Sequence, residues 1–366
     1  MQDGHIIDVV IAGGGTIGLT LALELRQQGL SVAILESGRA MQGASWAAGG
    51  MLAAMDPENP LALRPLSLKS IALYPEYLAR VRQLSGQSVP LRTRRTLQQA
   101  HATEGASLGG QATAAEMRSF VPGMARDILE QEGSFFWLQE DSLDPRDLCR
   151  ALPRAVLAAG ATLMEKTTVL GVQPAGASVS VQSSQGQIEA GMFVNCCGAW
   201  AGALPMGTVP VTPVKGQMVT VALAAERLRC VVRMPGTYLI PRGDGRVTIG
   251  ATVERAGFDT SVQESSIQWL VDAASTLLPE LQQAQRLESW AGFRPGTPDA
   301  LPILGPAEAP HCWLATGHYR NGILLAPATA RCLAQAMMGE LPDVALDAFA
   351  AARFTTANQA AEGGFA

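Results

Sequence analysis

A short apolar run, Asp8-Val-Val-Ile-Ala, passes through Gly13-Gly-Gly15-Thr-Ile-Gly18 into residues whose apolar positions recur at helical spacing. Leu19, Ala22, Leu23 and Leu25 form one stripe, which predicts a helix from Thr16 to about Gln28 with Gly29 as its C-cap. A second apolar run, Val32-Ala-Ile-Leu, follows and ends in the carboxylate of Glu36. A glycine turn in some other α/β fold would share the glycines alone. Strand, turn, helix, second strand and terminal acid together point to a dinucleotide. In such a unit Gly13 makes the tight turn, Gly15 lets backbone approach a pyrophosphate, and Gly18 lets helix and strand pack closely. The helix N-terminus offers unpaired N–H groups and about half a positive charge to the phosphates. Glu36 lies about 20 residues beyond the loop, where an acid grips ribose hydroxyls.

Further along, the pattern alternates between two kinds of sequence. Gly43-Ala-Ser45-Trp-Ala-Ala-Gly49-Gly50-Met51-Leu is a small-residue stretch suited to lying flush against something flat. Ser67 to Leu84 reads as an amphipathic helix interrupted near Tyr74-Pro75. Val89 to Asp141 reads as short strands and turns with one helix from about Thr113. Asp144 caps a helix running from Pro145 to Ala159. Strands follow at Ala161–Glu165 and Thr168–Val172, then a hairpin of Ser178–Gln182 with Gln187–Ala190. A separate apolar strand from Met192 runs toward Gly198 and is expected to rejoin the first sheet, bringing Gly198 near the cofactor. Val209 to Glu288 is strand-rich, with a helix at Ser265–Leu278. From Ser289 the chain reads strand, loop, strand, then a helix over Gly322–Met338.

The fold class this predicts is α/β and α+β, a cofactor domain visited several times with a largely antiparallel domain inserted between visits. Residues 1–84, 142–205 and 289–366 are assigned to the cofactor domain, and 85–141 and 206–288 to the substrate domain. The tail after about Ala357 is small and polar, as disordered ends are.

Composition narrows the partners. A net charge of -5, with only the short basic run Arg92-Thr-Arg94-Arg95, argues against nucleic acid. No window reaches the ~18 apolar residues a membrane span needs. Acidic Asp3 ahead of the first strand does not suit a secretory signal, so a cytoplasmic location is the default expectation. The six cysteines form no C-x-x-C pair and the four histidines no H-x-x-H or H-x-x-x-H pair, so no metal is expected. Reduced cysteines serving as small core residues fit better.

Three segments of the last third are dense in Arg, Gly, Tyr and Pro. They are Tyr238-Leu-Ile-Pro-Arg242, Trp290-Ala-Gly-Phe-Arg294-Pro-Gly-Thr297 and Gly317-His-Tyr-Arg320-Asn-Gly322-Ile-Leu-Leu-Ala-Pro327. An arginine among apolar residues needs an anion, and its planar fork suits a carboxylate. Taken singly, Arg294 or Arg320 is equally explained by an ion pair with a nearby acid. Tyr238 alone reads as a half-buried strand tyrosine.

With the N-terminal fingerprint, these segments resemble the FAD-dependent glycine oxidases of the D-amino-acid oxidase family. The resemblance covers nearly the whole chain and rests also on Ala44 to Leu52 and Pro213-Val-Lys215-Gly216. It implies an FAD-binding Rossmann-like domain of the glutathione-reductase type and an antiparallel substrate domain. Gly13, Gly15, Thr16, Ile17, Gly18 and Ser37 would line the dinucleotide, and Glu36 would hold the adenosine ribose. Ala44, Ser45, Gly49, Gly50 and Met51 would face pyrophosphate and flavin, and Val169 would touch the adenine. Tyr319, Arg320, Asn321, Gly322, Ile323, Leu324 and Leu325 would cover the flavin ring. Arg294 would bind the substrate carboxylate, assisted by Tyr238, with Arg320 beside it.

The same resemblance implies oxidative deamination of glycine, small amines or D-amino acids, with O2 as acceptor and a role in forming the thiazole of thiamine. The substrate Cα–H would be aimed at flavin N5 from about 3–3.5 Å for hydride transfer. No general base is required; His318 suits packing or a hydrogen bond. Gly236 stands where relatives carry bulkier polar residues, which bears on specificity. FAD is expected to be held without a covalent bond, Cys312 being the nearest candidate for one. A homo-oligomer is a further expectation. The rival readings are a quinone-linked D-amino-acid dehydrogenase, an NAD-dependent dehydrogenase and a non-catalytic flavoprotein subunit.

Overall fold

The computed structural model describes residues 6–100, 109–130, 133–204, 206–207, 209–224 and 227–354; the small polar tail lies outside them. Ile7–Ala12 is the centre of the first sheet. It pairs in parallel with Val32–Leu35 on one side and Gly186–Asn195 on the other. Thr162–Met164 and Cys312–Thr316 extend the parallel run, and Ile303–Pro306 closes one edge antiparallel. A strand buried on both faces sends alternate side chains into two cores. Val9 and Ile11 enter a core shared with the helices, whereas Val10 and Ala12 enter a second one on the opposite face.

The helix layer comprises Thr16–Gln27, Arg64–Ser85, Pro145–Ala158 and Gly322–Met337, packed on one another. Arg64–Ser85 is one helix, with no break at Tyr74-Pro75. Its buried residues Leu66, Ser70, Tyr74, Tyr77 and Val81 form a stripe. Ser70 and Tyr74 donate hydrogen bonds to the carbonyls of Leu324 and Ile323. This packing holds the helix through a proline that lacks one N–H. Asp144 caps the next helix as expected, accepting from Arg146 N at 3.0 Å.

The predicted hairpin strand and the Met192 strand are a single strand, Gly186–Asn195. Its first half pairs antiparallel with Ser178–Ser183, its second half parallel with Ile7–Ala12.

The second sheet runs in the order Arg286–Gly296, Thr212–Ala222, Arg246–Gly250, Thr237–Pro241, Val231–Met234, Thr96–Gln99, Phe135–Leu138, Gly110–Gln111. All its pairs are antiparallel except Val231–Met234 with Thr96–Gln99. One face lies under the helix Glu264–Leu277, burying Val219, Leu239 and Ile249. Period-two alternation turns Met218 and Tyr238 to the other face, toward the cofactor domain. Arg286–Gly296 pairs along its length with Thr212–Ala222, so residues 289–296 sit in the substrate sheet. The chain re-enters the first sheet only at Ile303, and the boundary expected at 289 falls inside a strand.

Candidate active site

A cavity of about 790 Å³ opens between the carboxyl ends of the parallel strands and the inner face of the second sheet. Ligands bind at this end of open α/β sheets. From the first domain it is lined by Gly13, Gly15, Thr16, Ile17, Glu36, Ser37 and Val169. The small-residue stretch adds Ala44, Ser45, Gly49, Gly50 and Met51, and the C-terminal motif adds Tyr319, Arg320, Asn321, Gly322 and Ile323. The second sheet contributes Gly216, Tyr238 and Arg294. Gly198 also lines it, at the end of the strand that rejoins the first sheet.

Three sequence-selected residues stand behind the wall. Gly18 packs helix on turn: a Cβ there would lie 2.1 Å from the carbonyl oxygen of Gly13. Leu324 and Leu325 point into the helix core. Cys312 is likewise buried in the first sheet's second core, and burial pushes its thiol up to about 11.

The glycine turn is shaped for a close approach. Gly13 has φ +106°, and a Cβ there would meet the Cys196 carbonyl oxygen at 2.4 Å. Gly15 caps the helix with no side-chain bond, and no acid occupies the first turn, which leaves the helix's positive end for an anion. Ser45 Oγ accepts from Thr16 N at 2.9 Å, tying the small-residue stretch to this terminus. Glu36 is fixed at the strand end by Gly14 N and Gly38 N, each donating at 2.8 Å to a different carboxylate oxygen. Backbone donors, a strand-end acid and an extended cavity fit FAD, whose dinucleotide part these residues would hold.

The stretch Gly43 to Leu52 is strapped down by the second sheet. The Arg242 guanidinium is buried and donates to the carbonyls of Gly49 at 2.9 Å and Leu143 at 3.1 Å. Burial lowers its pKa to about 10. Trp290 Nε1 donates to the Ala47 carbonyl at 3.1 Å. The flush packing expected of this stretch has these partners.

Arg294 sits opposite Val214 in the strand register. Its Nη1 donates to the carbonyls of Thr252 at 3.0 Å and Lys215 at 3.4 Å. Gly216 makes the room: a Cβ there would stand 2.3 Å from Nη1. Among the described residues no carboxylate lies within ion-pair distance of Arg294. Among the described residues the Tyr238 hydroxyl finds only Met218 Sδ, at 3.8 Å, a weak acceptor. Arg320 differs: it pairs with Glu58 and, at 3.2 Å, with Asp56. The ion-pair alternative open for both arginines applies to Arg320 and not to Arg294. His318 is buried, 3.1 Å from Thr329 Oγ1, and burial lowers its pKa to about 3. The imidazole is thus neutral and engaged.

Sequence reading missed several polar residues of the wall, among them Asp56, Glu58, Gln98 and Arg233. One signal was present, an arginine inside the apolar run Cys230-Val-Val-Arg-Met. Lys215, singled out only as part of a motif, has a fully buried side chain that reaches Asp259 Oδ2 at 2.6 Å.

Residues 8–336 match the model of the DAO family, FAD dependent oxidoreductases. The chain is 36% identical over 364 residues to the bifunctional protein ThiO/ThiG of Trichormus variabilis, covering 95% of this chain and 55% of that protein. It therefore spans about half the length of that bifunctional relative. It is 36% identical over 351 residues to the glycine oxidase of Pseudomonas aeruginosa, covering 91% and 95% of the two chains. The crystal structure of glycine oxidase from Geobacillus kaustophilus superposes with a TM-score of 0.88 at 32% identity, covering 94% of this chain and 98% of that one. No described helix is long and apolar enough to cross a membrane. With a glycine turn, strand-end acid and inserted antiparallel sheet around one cavity, the chain belongs to the DAO family of FAD dependent oxidoreductases.

Proposed function

We propose that this protein is a flavoprotein oxidase that deaminates glycine and other small amines or D-amino acids. The products are a 2-oxo acid, ammonia and hydrogen peroxide; for glycine, glycine + O2 + H2O gives glyoxylate + NH3 + H2O2. The observation that carries this reading is the Arg294 guanidinium, bonded among the described residues only to backbone carbonyls and facing the cavity that the fingerprint shares. Bound FAD supplies a two-electron acceptor that can pass its electrons to oxygen.

The chain's own residues then have separable tasks. Arg294 takes the carboxylate of a small amino acid and fixes its orientation, which removes much of the entropic barrier. The Tyr238 hydroxyl, without a strong partner, is free to donate to the same carboxylate. Its ring lies beside Gly250, where a Cβ would clash at 2.7 Å, so its place is set by backbone. His318 is neutral and bonded to Thr329, and carries no proton-transfer role. Gly236 lines the cavity without a side chain, leaving space for a substituent on the substrate.

We place the activity in the cytoplasm, in a pathway that consumes the imine or 2-oxo acid, with thiamine thiazole formation the pathway inferred. The six free cysteines suit a reducing compartment. The test is an aerobic peroxide assay of the flavin-loaded protein over glycine, N-methylglycine, D-alanine and D-proline. One peroxide per substrate consumed is the expected yield. Substrate-dependent bleaching without peroxide, relieved by a quinone, would move the protein to the dehydrogenases.

A further inference from the structure

The substrate-side wall carries three guanidinium groups, Arg294, Arg320 and Arg233, and two of them already have acids. Arg233, 5% exposed, is 2.9 Å from Glu140 Oε2 and 3.8 Å from Asp56 Oδ2, and its Nε donates to Gln98 Oε1 at 2.6 Å. Asp56 lies between the two arginines, 3.2 Å from Arg320 Nη2 through the same oxygen. Glu58 pairs with Arg320 Nη1.

The loop carrying these acids is held in place. Asp56 Oδ1 accepts from Glu58 N at 3.0 Å, and Asn59 N donates to the Asp56 carbonyl at 3.0 Å. Asn321 Nδ2 donates to Asn59 Oδ1 at 2.8 Å, so the loop is bonded to the segment that carries Arg320. Among the described residues, Arg294 alone of the three lacks an acid. The wall thus presents one uncommitted positive charge.

Resting on the amino-acid oxidase reading above, we infer that Asp56 and Glu58 are specificity-determining residues that restrict the site to monocarboxylates. They occupy Arg320 and set negative charge on the same cavity wall that carries Arg294. Like charges brought together beside Asp56, whose side chain is only 13% exposed, are costly, and exclusion by repulsion is as effective as attraction in choosing between ligands. A dicarboxylic amino acid would meet Arg294 with one end and the two acids with the other. Removing the acids frees Arg320 for that second carboxylate. Arg233 keeps Glu140 as its counter-ion and does not change role.

The experiment titrates the FAD-loaded protein with acetate and with malonate, following the flavin absorbance change, which needs no turnover. Wild type is expected to bind malonate no more tightly than acetate. In Asp56→Asn/Glu58→Gln the malonate-to-acetate affinity ratio should rise at least tenfold. Adding Arg320→Gln to that variant should return the ratio to the wild-type value. Glu58 is 64% exposed in its side chain, so Glu58→Gln alone preserves the fold and should give about a threefold rise. A ratio that stays within twofold across these variants overturns the inference, as does a gain that survives Arg320→Gln. Failure of wild type to bind acetate at all strikes the Arg294 anchor, and with it the premise. An unmoved ratio alongside normal acetate binding strikes only the role given to the acids.

Discussion

Around Gly13 the cavity wall is backbone, and its specificity is a matter of room and N–H direction. Around Arg294 the wall is side chains, and its specificity is a matter of which charges are left over. Gly13, Gly15 and Gly18 lie within six residues of one strand-to-helix turn, so their places follow from a few dihedral angles. Arg294, Thr252, Lys215, Asp56 and Arg320 come from separate loops and strands and meet only in the folded chain. A local device tolerates little change in shape. A device assembled at distance fails when one of its far-apart partners is lost, in charge or in hydrogen-bond geometry.

Gly18→Ala tests the first half of that contrast most severely. The new methyl would sit 2.1 Å from a backbone oxygen that cannot yield without moving the turn. Overpacking of this kind costs about 1–3 kcal/mol, and the variant should be purified with little or no flavin. The flavin-to-protein absorbance ratio reads this directly; a normal ratio would show that the turn has slack.

Arg294→Lys tests the other half, keeping the charge and removing the fork. Hydrogen bonds to charged groups are worth about 1.5–3 kcal/mol, so KM for glycine should rise roughly 10–150-fold. Flavin content should not move. Parallel loss of flavin would make Arg294 structural.

Lys215→Met is predicted to act one step removed. The ammonium pins Asp259 at 2.6 Å, and the same strand and loop present the Lys215 and Thr252 carbonyls to Arg294. Loss of about one hydrogen bond's worth of order, ~1 kcal/mol, gives about a fivefold rise in KM with kcat little changed. An equal fall in kcat would place Lys215 nearer the chemistry than the geometry does.

At neutral pH the smallest effect belongs to His318→Asn. Burial holds the folded imidazole near a pKa of about 3, whereas the unfolded one titrates near 6.5. The neutral form's contribution is therefore complete above about pH 6.5 and is lost as pH falls toward 3. Its slope is at most ~1.4 kcal/mol per pH unit. Urea melts at pH 7, 6 and 5 should lose that slope in the variant. An unchanged slope would assign acid sensitivity to other groups.

The same contrast explains what could be read from the chain. The first strand, glycine turn, helix and Glu36 were legible because their pattern is contiguous and each residue has one conformational job. Asp144 was legible as a cap for the same reason. The helix through Pro75 was not, since Ser70 and Tyr74 bond to carbonyls some 250 residues away, at 324 and 323. Residues 289–296, expected in the cofactor domain, pair instead in the second sheet, because strand partners are fixed by register, which periodicity does not encode. The Arg294 motif was visible, but the acids that distinguish it from Arg320 lie 264 and 262 residues from Arg320 along the chain. No local pattern announces such a pairing.

Arg242 belongs to one sheet and fastens the carbonyls of Gly49 and Leu143, which belong to the other half of the molecule. With the Trp290 indole on the Ala47 carbonyl, this guanidinium bonds the two halves together at buried donors. Rocking of one half on the other would have to break these buried hydrogen bonds, whose donors would then be left unsatisfied in the interior.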